Sequence, residues 1–398
     1  MECDMMNVQR NFLLKGAEIF TGERGRSWEK QELYIENGKI GKAGSVHDGV
    51  QVLDVTGCYI MPGMVDAHCH IGLFDEAMGF EGEDGNEMTD PITPHMRAID
   101  GMYPADRTFQ EALEAGVTTA VTGPGSANVI GGQFAAIKTW GRTVEEMLLQ
   151  APVAMKVAFG ENPKRIYNEQ KKAPMTRMAT AALLRETLYK ALEYRDHLRA
   201  AQDDPAKRPE FDLALESLLP VINGQIPLKA HAHRVDDIMT AIRIAEEFGL
   251  GLTLDHCTEG HLIADILAKK GYPAIVGPSF GDRSKVELKN QTFDTPRILA
   301  EAGVKVALMT DAPVIPLKHL IMCAQFAVKY GMDPDEALRA ITINPAEIIG
   351  LQERVGSLTP GKDADLVIFD RNPLDFHAQV LAVLVNGEIV FCQASFQP

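Results

Sequence analysis

The residues that could do chemistry in this sequence are histidines and aspartates placed at the ends of apolar runs. Asp66-Ala67-His68-Cys69-His70 closes the run "GMVDAHCH". His68 and His70 are two apart, so on a strand they face one side, and two imidazoles on one face can share a cation. His231 and His233 repeat that spacing at the end of "PLKAHAH", His256 ends "LGLTLDH", and Asp311 ends "VKVALMTD". Polar groups at the ends of apolar strands cost several kcal/mol unless paired or ligated. An imidazole and carboxylate donor set suits Zn²⁺ first, and also Fe²⁺, Mn²⁺, Co²⁺ or Ni²⁺.

Strands alternating with helices must position these groups. Seven apolar runs read as strands: "GMVDAHCH", "GVTTAVTG", "PVAMKVAFGE", "PLKAHAH", "LGLTLDH", "YPAIVG" and "VKVALMTD". Helical segments such as "RVDDIMTAIRIAEEFG" and "DTPRILAEAG" lie between several of them. Repeated βα units argue a parallel sheet, and their number favours a (β/α)₈ barrel, whose strand ends meet at one active rim. An eighth strand is not evident. Residues 162–226 are largely charged and helix-forming.

Both chain ends read differently, as short strands broken by turns. Asn37-Gly38 and Asn386-Gly387 are hairpin signals, because a type I′ turn needs positive φ at both central residues. The expected fold class is therefore α/β: a (β/α)₈ TIM-like barrel over residues 63–351, with a small β-sandwich domain formed from both chain ends, residues 1–62 and 352–398.

Composition bounds the partners. The chain has 398 residues and a formal net charge of −16, a surface that repels phosphate backbones. A small-molecule substrate is expected, with no nucleic acid and no membrane; a homo-oligomer is compatible with the sequence. No run approaches ~20 apolar residues, and Asn11-Phe12-Leu13-Leu14 is too short for a secretory h-region. Cys3, Cys58, Cys69, Cys257, Cys323 and Cys392 show no CxxC pair. They read as reduced thiols of a cytoplasmic protein, and strand alternation turns Cys69 and Cys257 away from the histidine face.

These residues in combination resemble the amidohydrolase superfamily. "MPGMVDAHCH" resembles its first-strand motif, "GVTTAV" its second strand, and "MTDAP" its last-strand aspartate. "TINPAEIIGL" followed by "GSLTPGKDADLVIFD" resembles its closing helix and return to the small domain. The match runs over nearly the whole chain, and the layout is most similar to imidazolonepropionase-related and prolidase-like members. The resemblance implies metal ligation by His68, His70, His231, His256 and Asp311, with one or two ions per chain. It implies hydrolysis of a C–N bond by activated water, Asp311 taking the water's proton and delivering it to the leaving nitrogen. His233 or His256 is placed to stabilise the developing oxyanion, and His233 to touch substrate.

Two-metal members often bridge their ions with a carbamylated lysine, others with a strand-end glutamate. Lys156 and Glu161, both in "PVAMKVAFGENPKR", are the candidates. Glu161 is the expected ligand, since it sits at the strand end before Asn162-Pro163, whereas Lys156 lies ~16 Å deeper along an extended strand. The glycines of "TGPGSANVIGGQFAAIKTWG" let backbone approach a ligand, and Asn128, Gln133 and Lys138 there could bind a substrate carboxylate or amide. The acidic stretch "FDEAMGFEGEDGNEMTDPITPHMRAID" is a solvated face or a lid; as a lid it would favour a cationic group. The resemblance leaves a metal-dependent deaminase, an Xaa-Pro dipeptidase-like hydrolase and a catalytically silent relative as alternatives. "HAHR" lacks the nearby glutamate a deaminase would carry.

Overall fold

The structure, a computed structural model, describes residues 11–42, 49–75 and 79–396. The N-terminal segment supplies β1 (Phe12–Lys15), β2 (Glu18–Ile19), β3 (Glu29–Lys30), β4 (Leu33–Glu36), β5 (Lys39–Ile40), β6 (Gln51–Asp54) and β7 (Tyr59–Pro62). Next come β8 (Met64–Cys69), β9 (Val117–Thr122), β10 (Ile130–Lys138), β11 (Leu148–Ala158) and β12 (Leu228–Ala232). They are followed by β13 (Leu252–His256), β14 (Ala274–Val276) and β15 (Val306–Leu308). The C-terminal segment adds β16 (Leu366–Phe369), β17 (Val380–Val385) and β18 (Glu388–Cys392).

Strands β8 to β15 form one eight-stranded sheet in sequential order. The strand missing from the sequence reading is β10, inside the glycine-rich stretch read as a loop. It runs antiparallel to both β9 and β11, unlike the other pairs, which are parallel. Glycines at 131 and 132 hide its strand character. Gly132 has φ 131, and a Cβ there would meet the Met96 carbonyl oxygen at 2.4 Å, so the bulge beside it requires glycine.

The seam between β8 and β15 is closed by side chains and loops. Asp66 on β8 accepts from the Thr310 amide at 2.9 Å and its hydroxyl at 2.7 Å, and the His70 amide donates to the Ala312 carbonyl at 2.8 Å. Asn344, on the helix Ile343–Ile348, donates to the Val306 carbonyl. Outer helices such as Val235–Phe248 bury Ile238, Ala241, Ile242 and Ala245 against the sheet. Apolar residues at these offsets share one face of a 3.6-residue helix.

The chain ends meet in the small β domain. A six-stranded sheet orders β18-β17-β16-β7-β2-β3, joining strands of both segments, and a four-stranded sheet orders β5-β4-β1-β6. Their facing sides share a core of Phe12, Leu14, Ile35, Ile60, Leu366 and Leu384. Asn37-Gly38 joins antiparallel β4 and β5, and Asn386-Gly387 joins β17 and β18, all four residues with positive φ.

Cys58, Cys69, Cys257 and Cys323 are free, buried thiols. Cys392 is disulfide-bonded, which corrects the reading of every cysteine as a thiol; Cys3 lies outside the described residues. Among the described residues, no helix is long and apolar enough to cross a membrane.

Candidate active site

The histidines gather at the rim where the parallel strands end. His68, His70 and Asp311 form one cluster, and His231, His233 and His256 another; within each, the ligand atoms all lie within 4.8 Å of one another. Every one of these side chains is nearly or fully buried. Asp311 Oδ1 stands 3.4 Å from His68 Nε2 and 3.2 Å from His70 Nε2. The clusters touch, with the His256 ring centroid 5.5 Å from that of His68 and 4.2 Å from that of His231.

Backbone strain contributes to this convergence. Asp255 and His256 are neighbours and by strand alternation should face opposite sides. His256 instead has φ 70 and Asp311 φ 55, conformations that side-chain-bearing residues rarely adopt. Such outliers persist where the surroundings fix them, often at functional sites. Here they let Asp255 and His256 both reach His68.

The far nitrogens of His70, His256 and His68 each lie against an oxygen, while that of His231 has no hydrogen-bond partner. His70 Nδ1 lies 2.7 Å from the Gly123 carbonyl oxygen, His256 Nδ1 2.9 Å from that of Gly277, and His68 Nδ1 2.8 Å from Asp255 Oδ2. A carbonyl can only accept, so the Nδ1 of His70 and of His256 carries the proton and its Nε2 offers a lone pair. His233 Nδ1 lies 2.7 Å from the Thr258 hydroxyl, which can donate or accept, and its Nε2 has no hydrogen-bond partner.

Electrostatics favour the neutral form of His68, His231, His233 and His256. Burial, with Lys156 nearby, lowers His68 to about 4, and burial lowers His256 to about 3. His231 and His233 fall well below the usual range through burial and their mutual charge repulsion with His256. Burial alone would raise Asp311, but His256, His68 and His70 outweigh it and hold the carboxylate ionised. Neutral imidazoles beside an ionised carboxylate are the protonation states metal binding requires.

The structure brings Lys156 into this cluster and leaves Glu161 outside it. Lys156 is fully buried, with Nζ 3.2 Å from His68 Nε2 and over the Phe134 ring. Burial, only partly offset by Asp255 and Asp311, lowers its amine to about 8. The expectation for Glu161 assumed that the strand runs to residue 161. Instead β11 ends at Ala158, beside His231 on β12, and the chain turns at Gly160. Lys156 is thus only two residues below the rim, within reach of its four-carbon stem. Glu161 opens the helix Glu161–Glu169 and accepts from the Glu287 amide at 3.4 Å.

The loop candidates are placed elsewhere too. Asn128 is buried and donates to the Glu87 carbonyl and the Thr93 hydroxyl while accepting from Tyr167. Gln133 donates to the Pro94 carbonyl. Both fasten the acidic stretch to the barrel. Because β10 is antiparallel, Lys138 falls at the opposite end of the barrel, paired with Asp363 and Asp365 of the small domain. Residues 76–78 of the acidic stretch lie outside the described residues.

Several supporting groups were missed by sequence reasoning. Asp255 holds His68 and, with Lys229 Nζ at 3.3 Å, forms a buried ion pair beneath the site. Phe134 lies under His68 and both lysines. Glu287, 1% exposed, reaches in from the segment after β14. Lys229 shares strand parity with His231, a usable signal; Glu287 belongs to no pattern.

An eight-stranded barrel with its titratable groups collected at one rim defines a barrel enzyme. The amidohydrolase family model matches residues 59–390, and the chain belongs to that family, whose members hydrolyse carbon–nitrogen bonds. A crystal structure of an amidohydrolase from Thermotoga maritima superposes with TM-score 0.93 at 44% identity, covering 96% of this chain and 100% of that one. The amidohydrolase tasK of Hapsidospora irregularis is 30% identical over 95% of this chain, which spans only 43% of that relative's length. An imidazolonepropionase of Thermoplasma volcanium is 27% identical over 91% of each chain.

The family implies resident divalent metal, and the donor atoms fit one. Two ligands about 2.1 Å from a tetrahedral ion stand about 3.4 Å apart. The contacts of Asp311 Oδ1 with His68 and His70, 3.4 and 3.2 Å, match that separation.

Proposed function

We propose that this protein hydrolyses an amide or cyclic amide C–N bond of a small molecule, using divalent metal, Zn²⁺ by preference, held at the barrel rim. The observation that carries the reading is the tethering of His70 and His256 through Nδ1 to backbone carbonyls, and of His68 to Asp255. Each ring then presents Nε2 to the space around Asp311. His68, His70 and Asp311 would hold one ion and His231 and His256 the other, and Lys156, in place of Glu161, would serve both once its neutral amine has added carbon dioxide and released a proton to form a carbamate.

When bound, the metal lowers the pKa of water toward ~7 and polarises the scissile carbonyl. Asp311, ionised and against both rings of the first cluster, accepts the water's proton at its carboxylate and passes it to the leaving nitrogen. Asp255 fixes the His68 ring. His233, whose Nε2 is unpartnered, lies beside His231 and His256.

The cyclic-amide form of the reading draws on the imidazolonepropionase likeness along the full chain. The test is a hydrolysis screen of metal-replete protein against hydantoins, imidazolones, N-acyl amino acids and Xaa-Pro dipeptides. Turnover of at least one C–N substrate that is abolished by chelator and restored by Zn²⁺ is expected; ammonia release from aminopurines alone would favour a deaminase.

A further inference from the structure

Glu287 is a buried carboxylate that the two-ion arrangement above does not use. It sits in the single turn Val286–Leu288 and is 1% exposed. Oε2 accepts from the Glu161 amide at 2.9 Å, and the Glu287 amide donates to the Glu161 carboxylate at 3.4 Å, a reciprocal clasp. Gly160 makes room for it: a Cβ at that residue would lie 2.7 Å from Glu287 Oε2.

The clasp leaves Oε1 aimed at the second histidine cluster. It stands 3.6 Å from His233 Nε2 and 3.8 Å from His231 Nε2. Neither Oε1 nor His233 Nε2 has a hydrogen-bond partner. His233 Nδ1 is engaged by Thr258, and Asn162 Nδ2 approaches His231 Nε2 at 3.5 Å. Glu287 Oε1, His233 Nε2 and His231 Nε2 therefore converge on one buried space, and Lys285 Nζ stays 3.6 Å from Oε1. Buried acceptors so arranged are unfavourable unless a cation joins them. Their separations are close to the about 3.4 Å expected of ligands on one tetrahedral ion.

We propose that Glu287, together with His233, ligates the second metal ion, so that this site is closed by a carboxylate from the segment after β14. This rests on the metal-dependent reading above. The segment would then be fastened to the site by the ion as well as by Glu161.

The experiment strips the full-length protein with chelator and titrates it with Zn²⁺, reading stoichiometry and affinity by calorimetry, and repeats this with Co²⁺ by visible absorption. Loss of an outer-shell partner costs on the order of 10–100-fold in metal affinity, so Glu287→Gln, which removes a direct ligand, is expected to weaken one ion at least that much. The other ion should be retained, with far-UV circular dichroism unchanged. Glu287→Asp should recover part of the affinity. Two ions held by Glu287→Gln at wild-type affinity, or loss of both together, overturns the proposal; a changed KM with full occupancy would make Glu287 a substrate contact instead. Wild-type protein that binds no second ion would sink the two-ion reading itself, a separate outcome.

Discussion

Asp255 Oδ2 lies 2.8 Å from His68 Nδ1, and its other oxygen lies 3.3 Å from Lys229 Nζ, all with side chains at most 2% exposed. One carboxylate therefore orients a candidate ligand and neutralises a buried ammonium. Lys229 and His68, behind burial's opposing effect, hold Asp255 far below the usual carboxylate range.

Asp255→Asn should accordingly do two separable things. It should weaken metal binding by about 10–100-fold, because the His68 ring loses the partner that orients it. It should also destabilise the fold by ~3–5 kcal/mol, because Lys229 is left buried without its counter-charge. Equilibrium dialysis and urea denaturation read the two effects. The further exchange Lys229→Met in the same chain should restore much of the stability and none of the metal affinity.

Asp311→Asn should leave the fold intact and remove turnover, since the amide cannot take the water's proton. General acid–base groups contribute about 10²–10⁴-fold, and loss of a ligand adds to that. Rate measurements on any substrate found by the hydrolysis screen, beside circular dichroism, decide it; near-normal activity contradicts the role.

Lys156→Ala should reduce metal content, while Glu161→Gln should leave both ions in place. Mass-spectrometric metal counting distinguishes the two variants, and the opposite pattern would return the bridging role to Glu161.

The junction between barrel and small domain should show in acid stability. Burial opposes ionisation of Asp363, but Lys138, Lys39 and Arg354 outweigh it and lower its pKa. A depressed carboxylate contributes stability above its unfolded value near 4, and this is lost as pH falls through the lower folded value. Stability of the wild type should therefore decline more steeply than that of Asp363→Asn as pH drops below about 4. Parallel slopes in urea melts across that range would contradict the assignment.

The sequence was most legible where pattern and geometry coincide. HxH at the ends of β8 and β12 brings both rings of each pair into one cluster, and both Asn-Gly turns sit between antiparallel strands. It was least legible where regularity breaks. β10 was hidden by Gly131-Gly132 and by running against its neighbours. Lys156 reads as too deep when the strand is extended to Glu161, whereas β11 ends at Ala158 and the chain turns at Gly160. Asp255 carries no signal of its own, because nothing in "LDH" announces the positive φ of His256. Asn128 carried the polar atoms of a substrate contact, yet Tyr167, Thr93 and Glu87, distant in sequence, occupy them.

The most direct measurement is anomalous diffraction from crystals of the Zn²⁺-replete protein, recorded at the zinc edge. The account predicts two peaks about 3.5–4 Å apart, as in other two-metal sites. One should lie among His68, His70 and Asp311, the other among His231, His256 and their neighbours, with density from Lys156 between them. A barrel rim without a peak, or zinc bound only elsewhere on the chain, would contradict it.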